Sequence, residues 1–198
     1  MSRRNGLTLR RMVRIAILAA IAFVLMLFPS FPLPFMPPFM SWDASEIPAL
    51  IAGFSMGPVS GVLVVLVKNL LKLTQTSTFG VGELSNFIIG ASYVFSASIV
   101  YHYIRTRKGA LLGLTLGTIV IAIVGALSNY YLILPFYIRV MGFDIDTIVG
   151  MTSEVNRYVT DFRSYIILAV VPFNVFKGAS VGLITFFIYK YIKPLLKL

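Results

Sequence analysis

The segment EIPALIAGFSMGPVSGVLVVLVKNLLK, residues 46–72, contains an apolar run of membrane-spanning length, residues 47–67, that is interrupted at Met56-Gly57-Pro58. Proline lacks a backbone N–H and suits the first position of a helix. We therefore predict a short helix over residues 45–55 and another over residues 58–73. At about 1.5 Å per residue, the short helix cannot cross a hydrocarbon core of about 30 Å, which predicts a protein-lined or watery cavity beside it.

The composition is that of an integral membrane protein. Hydrophobic residues make up 58% of the 198 residues, charged residues make up 12%, and the mean hydropathy is +0.90. Such a chain lacks the polar surface that a soluble domain needs. The net charge is +10, and the basic residues lie mostly between apolar runs. This position favours a role in membrane topology over nucleic-acid binding. The absence of cysteine and the single His102 exclude cysteine zinc sites and histidine-rich metal sites.

Other apolar runs complete an all-α fold in one transmembrane domain, residues 1–198. We predict further helices over residues 12–28, 82–104, 110–134 and 164–192, the fifth helix ending at Pro135 and the last kinked at Pro172. A Pro-rich loop follows the first helix, and residues 136–163 form a polar loop. No small-residue cleavage signature follows the first apolar run, so we expect a retained span and not a signal peptide.

The distribution of Lys and Arg favours six spans over five. With residues 47–67 as one span, the basic turn at residues 105–108 and the C-terminal lysines would lie outside the cell, against the positive-inside rule. Six spans, one of them short, place the N-terminal arginines, this turn and the tail in the cytoplasm. We therefore predict a multi-pass protein of the cell membrane with both termini cytoplasmic. This topology moves Lys68 from a loop into a span.

Charged and amide side chains lie inside the predicted helices, where an ionised group at mid-bilayer costs about 2.5–3.5 kcal/mol. Spacing places Lys68 with Lys72, and Asn174 with Lys177, on one face of their helices. The other such residues are Asn69, Glu83, Asn86 and Asn129. Contacts between helices would explain a single asparagine, and snorkelling would explain Lys72. Because several helices share the pattern, we predict a membrane-embedded binding site for a polar small molecule.

Four stretches carry a family resemblance: EIPALIAGFSMGP at residues 46–58, VKNLL at 67–71, GVGELSNFIIG at 80–90 and PFNVFKG at 172–178. They resemble the riboflavin-specific S components of energy-coupling factor (ECF) vitamin transporters. The likeness extends over essentially the whole chain and is weakest in residues 136–163.

The resemblance implies a subunit that binds riboflavin from the extracellular side and delivers it to the cytoplasm. Its partners would be membrane lipid, a transmembrane T component and two ATP-binding subunits. The chain itself has no phosphate-binding loop of the Walker type, and we expect neither a cofactor nor a nucleic-acid partner. The matching pocket positions are Glu46, Lys68, Asn86, Asn129, Asn174 and Lys177. Phe39, Met40, Trp42 and Leu50 would cover the apolar ring of the vitamin. Ala16 and Ala20, a small-xxx-small pair, would contact the T component.

Other functions remain open at this point. Flavin mononucleotide is a second ligand, because Lys68, Lys72 and Lys177 could accept a phosphate. An S component for thiamine or biotin would keep the architecture and change the pocket. A stand-alone secondary transporter is a further alternative, but the sequence shows no internal inverted repeat of the kind that such proteins often have. An enzyme is disfavoured, because no nucleophile is paired with a base in the sequence.

Overall fold

The break at Gly57 separates two helices in the computed structural model, which describes residues 8–34, 36, 40–142 and 144–192. Helix α2 (Glu46–Met56) ends at Gly57 and helix α3 (Pro58–Lys72) begins immediately after it. Gly57 has φ of 97°, a left-handed backbone conformation that glycine adopts without steric penalty. Pro58 then occupies the first helical position, where its missing N–H has no partner to lose.

Seven further helices complete the described fold. They are α1 (Leu9–Leu27), α4 (Val81–Tyr103), α5 (Arg107–Ser128), α6 (Leu134–Met141), α7 (Ile145–Ser153), α8 (Phe162–Tyr165) and α9 (Val171–Ile192). A two-stranded antiparallel hairpin, β1 (Ser30–Pro32) with β2 (Ser41–Asp43), lies in the Pro-rich segment and places Phe31 opposite Trp42. Helix α4 packs on α3 and α5, and α5 packs on α9.

Four helical stretches within the described residues are long and apolar enough to cross a membrane. These are Pro58–Gln75, Val81–Tyr103, Arg107–Val140 and Phe162–Ile192. Helix α2 is apolar but shorter, and α1 carries arginines in its first two turns. The all-α membrane fold is confirmed, whereas the count of six spans stays a prediction.

The fifth helix does not end at Pro135 as the sequence suggests. A π-helical turn, Asn129–Ile133, follows α5 and leads directly into α6, which continues to Met141. A second π-helical turn, Ile166–Val170, joins α8 to α9 just before Pro172. In both places the widened turn precedes a proline, where the regular pairing of backbone N–H and C=O groups would otherwise fail.

The polar segment 136–163 also contains helical structure that sequence analysis missed. Helix α7 begins after Asp144, whose side chain accepts a hydrogen bond from the Asp146 backbone N–H. Ile148, Val149 and Thr152 form its buried side. The charges of this segment hid a short amphipathic helix, because only one face of α7 is apolar.

Side-chain contacts define the two ends of the bundle. The rings of Phe54, Tyr101 and Tyr189 pack together, their centroids 4.6–5.7 Å apart, where α2, α4 and α9 end. Arg11 donates to Ser60 Oγ at 2.7 Å and joins the start of α1 to the start of α3. We name this end the aromatic end. The starts of α2, α4 and α9 and the end of α5 meet at the opposite end.

Candidate ligand-binding cavity

A cavity of about 360 Å³ opens at the end opposite the aromatic end. Its volume lies within the range of roughly 300–1,000 Å³ typical of small-molecule sites. Its main polar side chains are Glu46, Asn86, Asn129, Tyr137, Asn174 and Lys177. Its apolar walls include Met40, Ile121, Ile148, Met151 and Phe173. A mixed lining of this kind suits a ligand that has both a flat apolar body and hydrogen-bonding groups.

Four buried charges form one network beside the cavity. Lys177 donates to Asp43 Oδ2 at 2.8 Å, and its Nζ lies 3.5 Å from Glu46 Oε2. Lys68 donates to Glu46 Oε1 at 2.7 Å and to the Ser45 hydroxyl. We name Asp43, Glu46, Lys68 and Lys177 the charge cluster. Its two ammonium groups match its two carboxylates, so the net charge is zero.

The side chains of the cluster are buried, and the two lysines determine the ionisation of Asp43. Lys68 is fully buried and Glu46 is only 2% exposed. Burial by itself raises the pKa of Asp43, but the nearby Lys177 and Lys68 ammonium groups outweigh it and lower this pKa to about 2. Asp43 therefore stays ionised at neutral pH and remains a counter-ion for Lys177.

Three asparagines present amide groups to the cavity from three helical segments. Asn174 donates from Nδ2 to the Val170 carbonyl at 2.8 Å, and Asn129 donates to the Gly125 carbonyl at 2.9 Å. These bonds to the preceding turn fix the amide planes and leave the second N–H of each group for a ligand. Asn86 Oδ1 is buried and accepts no hydrogen bond from the described residues. An unpaired buried acceptor is costly, and a ligand donor would satisfy it.

Glu83 stabilises the segment that borders the cavity. Its carboxylate accepts hydrogen bonds from Thr76 Oγ1 at 2.9 Å and Thr78 Oγ1 at 3.3 Å. Thr78 lines the cavity together with Ser77. The buried position of Glu83 is therefore explained by a loop contact, and Glu83 itself does not line the cavity.

The structure brings together five of the six predicted polar pocket residues. Glu46, Asn86, Asn129, Asn174 and Lys177 line the cavity. Lys68 does not line it, because its ammonium group is enclosed by Ser45 and Glu46 behind the cavity wall. Its contribution is to the ionic balance of the site.

The apolar residues predicted to cover the ring of the ligand agree less well with the structure. Met40 lines the cavity, whereas Leu50 is fully buried in the helical core. Trp42 donates from Nε1 to Ser180 Oγ at 2.9 Å and packs against Phe31, away from the lining. These placements correct the assignment of Leu50 and Trp42 to the lining. Phe39 lies outside the described residues.

Sequence analysis missed several residues of the site. Tyr137 lines the cavity from segment 136–163, for which the sequence predicts a loop, and Tyr165 lines it from the start of the last helical stretch. Ile148 and Met151 reach it from α7. Asp43 was missed because it precedes a helix and reads as a loop residue. A count of charge gives only a partial signal: two buried lysines require two counter-ions and Glu46 supplies one, but in the sequence Glu83 is as good a candidate for the second as Asp43.

Gly125→Ala is expected to weaken ligand binding about tenfold by displacing Asn174. A Cβ at position 125 would lie 2.6 Å from Asn174 Nδ2 and 2.9 Å from its Cγ, so the amide must move. Titration with riboflavin, the ligand that the family resemblance implies, measures the change through the quenching of its fluorescence. Gly150→Ala is the matched control, because a Cβ there meets no atom within 4 Å. In a double-mutant cycle, Gly125→Ala should add little to Asn174→Ala; additive losses would contradict the assigned route.

Comparisons with known proteins place this site in a family. Residues 10–189 match the family described as "ECF transporter, substrate-specific component". The chain is 36% identical to the riboflavin transporter RibU of Staphylococcus aureus (strain TCH60), over 95% of this chain and 93% of the relative. It is 30% identical to the riboflavin transporter FmnP of Bacillus subtilis (strain 168), over 93% of each chain.

A solved structure gives the same answer. The fold matches a chain described as the S component of a bacterial ECF transporter, with a TM-score of 0.75 and 35% sequence identity. The match covers 96% of this chain and 98% of the other. The riboflavin-specific resemblance found in the sequence is confirmed at the level of family. The chain belongs to the substrate-specific components of ECF transporters, and it is a membrane transport protein and not an enzyme.

Proposed function

We propose that this protein binds riboflavin from the extracellular side and delivers it to the cytoplasm as the S component of an ECF transporter. The observation that carries the proposal is a cavity lined by three asparagines beside a cluster of zero net charge. Riboflavin has an imide edge that asparagine amides can pair with, hydroxyl groups that Lys177 and Glu46 can bind, and an apolar ring system. The names of the two curated relatives support the same ligand.

The ionic balance favours an uncharged vitamin. Lys177 is the lysine of the described cavity lining, and its ammonium group is already paired with Asp43 and Glu46. The phosphate of flavin mononucleotide, with nearly two negative charges, would disturb the zero net charge of the site. Cationic thiamine and the carboxylate of biotin would disturb it too. Riboflavin should therefore bind more tightly than flavin mononucleotide, thiamine or biotin.

Titration of the purified protein in detergent tests this proposal. Riboflavin fluorescence should be quenched to saturation at one vitamin per chain, and thiamine or biotin in large excess should leave the quenching unchanged. Flavin mononucleotide should bind at least about tenfold more weakly, the effect of about 1.4 kcal/mol. Absence of quenching by correctly folded protein would overturn the proposal. Equal affinity for riboflavin and its phosphate would overturn the argument from charge.

Docking on a T component is the second part of the proposal, and α1 supports it. Ala16 and Ala20 are exposed, whereas Ala19 and Ala22 on the other face are buried in the core. Exposed Val13 and Ile17 extend the first face, which is apolar and unoccupied within the described chain. Small residues allow close approach of a second helix in a membrane. ATP-binding subunits joined to the T component would supply the energy of transport.

Ala16→Trp is expected to spare riboflavin binding and to abolish co-purification with a T component. The indole would hold the partner helix away from the small-residue face. Co-expression with a tagged T component, followed by quantitation of both chains, measures the effect. Leu111→Trp is the control, because it adds the same ring to an exposed position on α5. Intact assembly of Ala16→Trp, or a loss equal to that of Leu111→Trp, would contradict the docking surface.

We also propose that the cavity end faces the cell exterior and that both termini lie in the cytoplasm. The aromatic end carries Arg10, Arg11 and Arg14 at the start of α1 and the basic turn between α4 and α5. The positive-inside rule supports a cytoplasmic position for this end.

A further inference from the structure

The two ends of the bundle differ in their acidic residues. Asp43, Glu46 and Glu83 lie at the cavity end, and the other four acids lie between residues 144 and 161, in the segment whose helix α7 lines the cavity. No Asp or Glu occurs in residues 1–42, 84–143 or 162–198. The described part of the aromatic end is therefore basic without acidic side chains to neutralise it.

A groove of about 400 Å³ lies at this aromatic end, between the turn that joins α4 to α5 and the end of α9. Arg105, Thr106, Arg107 and Lys190 supply its polar rim, and Phe186 and Phe187 form an apolar wall. The ion pairs within the described residues involve Lys68 and Lys177, and none includes a cation of this rim. We name this feature the basic groove.

The contacts of the rim cations leave charge available to a ligand. Arg105 donates from Nε to the His102 carbonyl at 3.3 Å. The Lys190 ammonium lies 4.5 Å from the centre of the Tyr191 ring. Neither contact neutralises a positive charge. Three cations around one cavity, with no described carboxylate among them, therefore attract an anion with several acceptor oxygens.

The wall and its surroundings point to a lipid. Phe187 is 58% exposed, so the apolar wall continues to the outer surface of α9, which we expect to face lipid. Tyr103 and Tyr191 are exposed beside the groove, as aromatic residues are at a membrane interface. A freely soluble phosphate would pair with the cations and make no contact with the apolar wall. An anionic phospholipid uses both, its phosphate on the cations and an acyl chain along Phe187.

We propose that the basic groove is a binding site for the headgroup of an anionic phospholipid. The positive-inside rule accounts for basic residues at this end but not for their position around a cavity that has an apolar wall. The site is separate from the vitamin cavity and lies at the other end of the bundle. Its occupation would anchor the turn between α4 and α5 to the end of α9.

Native mass spectrometry of the full chain in detergent tests the site. Phosphatidylglycerol should be retained in preference to phosphatidylcholine. Arg107→Gln combined with Lys190→Gln should weaken phosphatidylglycerol binding about tenfold. The matched control, Lys108→Gln with Arg10→Gln, removes the same charge from the same end without touching the groove lining, and its binding should change less than twofold. Monodisperse gel filtration of both pairs shows that the fold is kept.

Three results would overturn the proposal. Equal losses in the two variant pairs would mean that diffuse surface charge binds the lipid. Equal retention of phosphatidylcholine and phosphatidylglycerol would mean that no anion is selected. Competition by glycerol 3-phosphate as strong as that by phosphatidylglycerol would mean that the wall holds no acyl chain and that the ligand is a soluble phosphate.

Discussion

Lys177→Met is expected to weaken riboflavin binding about 100-fold and to lower the temperature of unfolding. A hydrogen bond between a charged group and a ligand contributes about 1.5–3 kcal/mol, which corresponds to roughly 10- to 150-fold in affinity. Lys177 lines the cavity, and its ammonium group has three N–H donors. Asp43 accepts from one of them and Glu46 lies within ion-pair distance, which leaves at least one for the ligand. Its removal eliminates a ligand donor and leaves the charge cluster with one excess negative charge. Fluorescence titration and thermal denaturation in detergent measure the two effects.

A second substitution separates the two roles of this lysine. Asp43→Asn combined with Lys177→Met restores zero net charge, so thermal stability should recover while riboflavin binding stays weak. If the double variant binds as tightly as the parent protein, Lys177 only neutralises Asp43 and does not contact the vitamin. Lys190→Met is the control, because it removes a lysine from the opposite end of the same helix.

Lys68→Met is expected to destabilise the fold by about 3–5 kcal/mol, the effect of removing one partner of a buried ion pair. Lys68 is fully buried, and its ammonium group donates to Glu46 Oε1 at 2.7 Å. Without it, Glu46 keeps the Lys177 ammonium at 3.5 Å as its one remaining cation within the described residues, together with the Ser45 hydroxyl at 3.4 Å. Thermal denaturation can be followed by the fluorescence of Trp42, the single tryptophan of the chain. The binding of riboflavin should fall less than in Lys177→Met, because Lys68 does not line the cavity.

Neutralising Glu46 should restore part of the stability that Lys68→Met loses. Glu46→Gln with Lys68→Met again balances the cluster, and its unfolding temperature should lie above that of Lys68→Met alone. Lys72→Met is the control, since Lys72 lies one turn further along α3 and forms no salt bridge within the described residues. Unfolding of Lys68→Met at the temperature of Lys72→Met would show that the buried pair does not hold α2 against α3.

The break in the second apolar run was predictable because two residues determine it locally. Gly57 permits the positive φ, and Pro58 is a suitable first helical residue, so the bounds of α2 and α3 need no tertiary information. The same reasoning failed at Pro135. Pro135 marks a local fault in the backbone pairing, but the sequence does not show whether the helix ends there or continues through a π-helical turn.

The polar half of the site was predictable for a different reason. Asn86, Asn129, Asn174 and Lys177 are expensive in lipid, so each had to face the protein interior, and one bundle has one interior. The apolar half follows no such rule. Leucine and methionine suit a protein core and a cavity wall equally well. Only the packed fold shows that Leu50 lies in the core and Met40 in the cavity wall. Likewise, α7 contributes Met151 through a tertiary contact that the charges of its segment conceal.

The neutrality of the charge cluster has an electrical consequence for transport. A membrane potential of 100 mV does work of about 2.3 kcal/mol on each elementary charge that crosses the bilayer. Asp43, Glu46, Lys68 and Lys177 together carry none, and riboflavin adds none. A loaded site of this composition can move through the membrane field in either direction without electrical work. On the proposed function, the membrane voltage therefore does no work on the cluster and its vitamin, and ATP hydrolysis in the partner subunits would set the direction of delivery.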